Sequence, residues 1–141
     1  MSTSPVTLRF RVRYAETDQM GVVYYANYLI WFEMGRAEYC RQMGFSYANL
    51  ETNGFRLMVA DAHCRYKAPA RYDEIVRVET SIQELKKKTL VFGYKIFNDT
   101  TDQLLAQGYT KHVCTDLSGK LVRLPESFTQ CLLPPSQENQ A

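Results

Sequence analysis

The sequence predicts an α+β domain, one long apolar helix packed against a single curved antiparallel sheet. Three observations point to it. An alternating segment opens the chain, a helical spacing follows, and the remainder reads as strands joined by short turns. Short connections between consecutive strands favour antiparallel pairing. A helix apolar on more than one face has to be wrapped, most simply by a sheet.

Each element has its own signature. Val6, Leu8, Phe10, Val12 and Tyr14 alternate with Thr7, Arg9, Arg11 and Arg13, the pattern of a half-buried strand with a basic outer face. From Tyr25 to Met43 the apolar residues Ala26, Ile30, Met34, Ala37 and Cys40 recur three or four apart, and Gly44 is placed to end that helix. Leu29, Trp31 and Phe32 widen its apolar surface, and Glu33 falls on the apolar side, where it is expected to pair with Arg36 or with a group across a dimer. Ser46 to Thr52 reads as a short helix or loop closed by Asn53-Gly54. Strands are expected over Leu57–Lys67, Glu74–Leu85, Lys88–Phe97 and Gln103–Thr115, with a short edge strand over Lys120–Leu124 before Pro125. Residues 1–133 form a single domain on this reading, and 134–141 a short polar tail.

Composition narrows the function. The chain has 141 residues, 45% hydrophobic and 23% charged, which fits one globular domain rather than a disordered or coiled-coil chain. A domain of this size buries roughly two-thirds of its unfolded surface and needs no metal or disulfide staple. A net charge of +2 is too small to indicate a nucleic-acid partner. No apolar run approaches the ~20 residues of a membrane span, and Met1–Pro5 lacks the basic and apolar parts of a signal peptide, so a cytoplasmic location is expected. Cys40, Cys64, Cys114 and Cys131 are too widely spaced for a zinc or redox pair, and read as free thiols, mostly in the core. His63 and His112 sit mid-strand as core or interface histidines, so no metal is expected.

The chemistry concentrates between the first strand and the helix. Glu16 and Asp18 stand in a turn-rich loop just before the helix start, where unpaired N–H groups and positive dipole charge collect. A carboxylate facing such donors suits acyl transfer, because it can attack a carbonyl or deprotonate water while the N–H groups hold the oxyanion. An Asp in this position is more often an Asx-turn or helix-cap residue than a catalyst, and Glu16 reads as a loop or interface residue. Lys67, Arg71 and the run Lys86, Lys87 and Lys88 are candidates for phosphate contacts, or alternatively solvated strand ends.

The segment Asp18, Met20, Gly21, Val22, Val23, Tyr24, Tyr25, Ala26, Asn27 and Tyr28, followed by Trp31, Phe32, Glu33 and Arg36, resembles the 4-hydroxybenzoyl-CoA thioesterase family. The likeness is closer to its YbgC-like acyl-CoA thioesterase branch. Tyr66, Lys67, Ala68, Pro69, Ala70, Arg71, Tyr72 and Asp73 match a second segment of that family, and Leu124-Pro125 its usual ending. The resemblance implies a hotdog fold, a helix wrapped by an antiparallel sheet, with homodimers assembling into homotetramers. It implies an acyl-CoA or acyl-carrier-protein thioester as substrate and no cofactor. Asp18 would be nucleophile or general base, the backbone N–H of Tyr25 the oxyanion donor, and Gly21 the residue that lets the loop bring them together. Tyr24, Asn27, Tyr28, Lys67, Arg71 and Lys88 would contact substrate or CoA. Many branch members carry His where this chain has Tyr25, a departure that bears on substrate preference. A thiolate leaves without strong acid assistance, since a thiol pKa is near ~8.5, so a missing imidazole is tolerable. Two other readings stand beside this one: a hydratase or dehydratase on the same fold, disfavoured by the absence of His at the helix start, and a non-catalytic acyl-CoA or acyl-carrier-protein binding or scaffold module.

Overall fold

Alternation sends Val76, Val78, Thr80 and Ile82 to one buried face of a strand, and Leu90, Phe92, Tyr94 and Ile96 to the same face of its neighbour. A computed structural model describes residues 3–45 and 47–132 and shows what this face packs on. Strands β1 (Val6–Arg11), β2 (Phe55–Tyr66), β3 (Ile75–Leu85), β4 (Thr89–Asn98) and β5 (Leu104–Asp116) form one antiparallel sheet in the order β1-β3-β4-β5-β2. Helix α1 (Asn27–Gln42) lies across β1, β3 and β4. Two short helices, α2 (Tyr47–Thr52) and α3 (Glu126–Leu132), complete the domain. The α+β architecture expected from the sequence is therefore present.

The helix seats itself through Trp31, Phe32, Gly35, Tyr39 and Cys40, all buried. Phe32 stacks on Tyr94 with ring centroids 4.2 Å apart and planes within 5°. Burial of side chains this large contributes about 1.5–3 kcal/mol each. Gly35 allows the close approach: a Cβ there would lie 2.4 Å from Thr80 Oγ1 and 2.8 Å from Val78 Cγ1. Because α1 covers β1, β3 and β4, edge strand β2 is left with nearly every residue exposed or half-exposed.

Four local expectations change. The first strand stops at Arg11, and Tyr14 turns outward, 76% exposed, because the chain enters a 3-10 turn over Tyr14–Glu16. Glu33 is exposed rather than on the covered side of the helix, since the α1 surface that meets the sheet is narrower than the apolar spacing suggests. Lys120–Leu124 forms a single bridge, Thr115 to Leu121, rather than a strand. Beyond Pro125 the chain coils into α3 and buries Phe128 and Leu132, an element the sequence reading does not contain. The tail 134–141 lies outside the described residues.

Candidate active site

The loop that carries Asp18 is tied at both ends. Thr17 and Val23 form an antiparallel bridge, and the Asp18 N–H donates to the Val22 carbonyl at 2.9 Å. Gly21 closes this turn at φ +80°, donating to the Asp18 carbonyl at 3.0 Å, a backbone state that disfavours a side chain. Asp18 Oδ1 accepts the Met20 N–H at 2.9 Å, which is the Asx-turn role. Oδ2 has no hydrogen-bond partner among the described residues, so half of the carboxylate is uncommitted. Asp18 lines an open cavity of about 720 Å³ with Thr17, Gly21, Tyr14 and Tyr72, the two tyrosine rings meeting edge to face at 5.6 Å.

Glu16 anchors this loop to the helix. It is buried, with Oε2 accepting the Trp31 indole N–H at 2.8 Å and Oε1 accepting the Arg13 N–H at 2.8 Å. Its backbone carbonyl accepts both the Tyr24 N–H and the Asn27 side-chain amide, each at 2.9 Å. Asn27 therefore orients the loop. Val23 donates to the Ala70 carbonyl at 2.9 Å, which docks the loop on the segment leading into β3.

At the start of α1 the carbonyls of Tyr24, Tyr25 and Ala26 accept the N–H groups of Asn27, Tyr28 and Leu29. The N–H groups of Tyr25 and Ala26 have no acceptor among the described residues, the open-donor state of a helix N-terminus. The Tyr66 hydroxyl donates to the Tyr25 carbonyl at 2.9 Å and so fixes the peptide plane of the first turn. Burial and the neighbouring Cys64 push the Tyr66 phenol up to about 12, keeping it a donor at neutral pH. The Tyr24 phenol is also held above its usual range, first by its hydrogen bond with Tyr25 and more weakly by the charge of Asp18. Asp18 and Gly21 thus share one tight turn, and Tyr24 and Tyr25 stand at the helix start that follows it.

Others of the expected residues part ways. Tyr28 is 2% exposed, and its hydroxyl accepts the Ala70 N–H at 3.1 Å, so it packs the core instead of facing a ligand. Lys67 and Arg71 are exposed on the segment after Tyr66, flanking the loop. Lys88 sits beyond the far end of β3, whose 11 residues run from the loop's side of the sheet, so it stands roughly 35 Å away within one chain. His63 is exposed and stacks on Tyr109 at 5.5 Å, outside the core, whereas His112 is buried. Cys40 and Cys114 are buried; Cys64 and Cys131 are half-buried. Tyr66 and Tyr72 belong to the second family segment but receive no role at the site from the sequence, because spacing does not say which strand returns beside the helix start. No helix among the described residues is long and apolar enough to cross a membrane.

Comparison with known proteins identifies the family of the chain. The profile of the thioesterase-like superfamily matches residues 12–132. The chain is 34% identical over 129 residues to the acyl-CoA thioester hydrolase YbgC of Escherichia coli, covering 91% of this chain and 96% of that one. It is 36% identical over 112 residues to the acyl-CoA thioesterase YbgC of Haemophilus influenzae, covering 79% and 80%. Among solved structures, the DHNA-CoA thioesterase of Staphylococcus aureus superposes with a TM-score of 0.84 at 36% identity, covering 89% of this chain and 85% of that one. These neighbours are hotdog-fold thioesterases, and the sheet and helix described above have that fold.

Proposed function

The chain belongs to the thioesterase-like superfamily and is a thioester hydrolase, and from that premise we propose that Asp18 and the α1 N-terminus together cleave an acyl-CoA. The observation that carries this reading is the uncommitted Oδ2 of Asp18, held in the loop that leads into a helix whose first N–H groups, those of Tyr25 and Ala26, are open. Oδ2 either adds to the thioester carbonyl or takes a proton from an attacking water. In the first case the carbonyl oxygen becomes an oxyanion facing the Tyr25 N–H, the C–S bond breaks, and the CoA thiolate leaves. Water then hydrolyses the acyl–aspartyl anhydride and regenerates the carboxylate. In the second case water supplies the new C–O bond directly, Asp18 takes its proton, and collapse of the oxyanion breaks the C–S bond and releases the CoA thiolate. One oxyanion donor of this kind is worth about 2.7–4 kcal/mol in the transition state. The helix dipole adds to it, and neither path draws on a metal or on any cofactor beyond the CoA of the substrate. Tyr24, Lys67 and Arg71 are the surface against which CoA would lie, Lys67 and Arg71 as phosphate partners.

Edge strand β2 supports a homodimer as the working unit, two copies joining sheets along β2, with tetramers built from such pairs. Its outer backbone edge has no strand partner among the described residues, and most of its side chains are exposed. Lys88 can serve a ligand in such an assembly only across a subunit boundary. The cytoplasm is the compartment where its CoA substrate would be met.

The test is thiol release from aliphatic and aromatic acyl-CoAs by the wild type and by Asp18→Asn. We expect turnover to fall at least a hundredfold in a variant that keeps its fold. Retained turnover overturns the role of Asp18. Single turnover in isotopically labelled water then identifies the anhydride path with water adding at the aspartyl carbonyl, since only that path leaves label in the Asp18 carboxylate.

A further inference from the structure

The carbonyl of Tyr25 has two donors where the helix ladder needs one. Helix α1 already supplies the Tyr28 N–H, at a long 3.2 Å. The Tyr66 hydroxyl adds a second, shorter bond of 2.9 Å from the end of β2. Tyr66 is 45% exposed, so water is able to satisfy the same oxygen in its place. Satisfying a polar group is therefore a poor account of this bond.

The ring that carries the hydroxyl is held from two sides. It stands edge-on to Tyr28, with centroids 5.1 Å apart and planes at 87°, and edge-on to Tyr25 at 6.3 Å and 89°. Tyr28 is itself fixed, buried and with its hydroxyl on the Ala70 N–H at 3.1 Å. The single proton of Tyr66 goes to the carbonyl, since the neighbouring Cys64 sulfur is much the weaker acceptor. A phenol pushed up to about 12 keeps that proton at neutral pH.

A peptide group is planar and here trans, so a bond to its oxygen acts on its nitrogen. The Tyr25 carbonyl and the Ala26 N–H belong to one such unit and point in opposite directions. Pinning the oxygen aims the Ala26 N–H out of the N-terminal end of α1, where it has no acceptor among the described residues. A donor on the oxygen also polarises the unit, and hydrogen bonds linked in this way strengthen one another by roughly 10–30%. The Tyr25 N–H receives no such help. Its peptide carbonyl, that of Tyr24, accepts only the helical Asn27 N–H among the described residues.

We infer that Tyr66 is a positioning residue for thioester cleavage, acting through the Tyr25–Ala26 peptide to make the Ala26 N–H a second oxyanion donor beside that of Tyr25. The inference rests on the thioesterase reading and adds to it a side chain that need not touch the substrate. Tyr66→Phe removes the hydroxyl and keeps the ring. On the acyl-CoA that the wild type turns over fastest, kcat is expected to fall roughly three- to tenfold while KM stays within about twofold. Replacing Tyr66 by 3-fluorotyrosine, a stronger donor, should hold kcat at or above the wild-type value. Backbone NMR reads the route without substrate. Loss of the hydroxyl should move the Tyr25 carbonyl carbon and the Ala26 nitrogen upfield together, and further than the Tyr25 nitrogen, in spectra that also show the variant folded. Unmoved Tyr25 carbonyl and Ala26 signals, an unchanged kcat, or a loss carried by KM alone would each overturn the inference. Asp18→Asn run alongside separates the failures. Turnover lost there but intact in Tyr66→Phe removes Tyr66 alone. No turnover by the wild type on any acyl-CoA removes the thioesterase reading, and the role of Tyr66 with it.

Discussion

Removing the carboxylate of Glu16 strands the Trp31 indole N–H and the Arg13 N–H at once, in a place where water does not replace the acceptor. Glu16→Ala should therefore destabilise the domain by about 3 kcal/mol in urea melts, and Glu16→Gln, which keeps one acceptor oxygen, by roughly half as much. Both should lower kcat more than they raise KM, since the loop holding Asp18 loses its anchor while the surface around it remains. His112 makes a second prediction with a defined sign. Its folded value is depressed to about 4 against an unfolded ~6.5, so below pH ~6.5 the unfolded chain binds the extra proton first. Its contribution is present above that pH and lost as pH falls from ~6.5 towards ~4, by up to ~3 kcal/mol. In pH-dependent denaturation His112→Phe should flatten this window, whereas the depressed carboxyls Asp99, Glu38 and Asp116 act at lower pH. The sequence reading places His112 inside a strand as a core or interface residue, but it cannot supply the hydrogen bonds that link it through Thr110 to Tyr94 on the neighbouring strand.

The contact between α1 and β3 is narrow because Gly35 permits it. Gly35→Ala would drive a methyl into Thr80 and Val78, and we expect a loss of about 1–3 kcal/mol together with a displaced helix. Equilibrium unfolding measures the first, and loss of near-ultraviolet signal from the Phe32–Tyr94 stack the second. Elements whose period repeats over many residues were legible without coordinates: α1 and the four later strands fall within two or three residues of where their spacing puts them. Elements fixed by tertiary contact were not. Helix α3 spans only 7 residues and exists because Phe128 and Leu132 find the core. Glu33 misleads for the same reason, since spacing locates a stripe but not how much of it the sheet covers. At the site, Asp18, Gly21 and Tyr25 are neighbours in the chain and could be read together. Tyr66 is 41 residues away from the carbonyl it holds, and only the sheet order brings it there.

Across the whole molecule the sheet is unevenly used, with α1 over β1, β3 and β4 and an edge strand left open at β2. If two copies join there, Val59→Lys at the exposed bulge of β2 should convert dimers or tetramers to monomers on light scattering, with little change in the melting temperature of the monomer. Activity would then fall with assembly, a dependence on protein concentration that Asp18→Asn does not show. One further property belongs to the molecule as a unit. The chain contains a single tryptophan, Trp31, and its indole N–H is bonded to the carboxylate that anchors the Asp18 loop. Its fluorescence is consequently an intrinsic reporter of that loop, needing no label and carrying no background from a second indole. Any ligand that loosens or tightens the loop will announce itself as a shift in emission, even one that is never turned over.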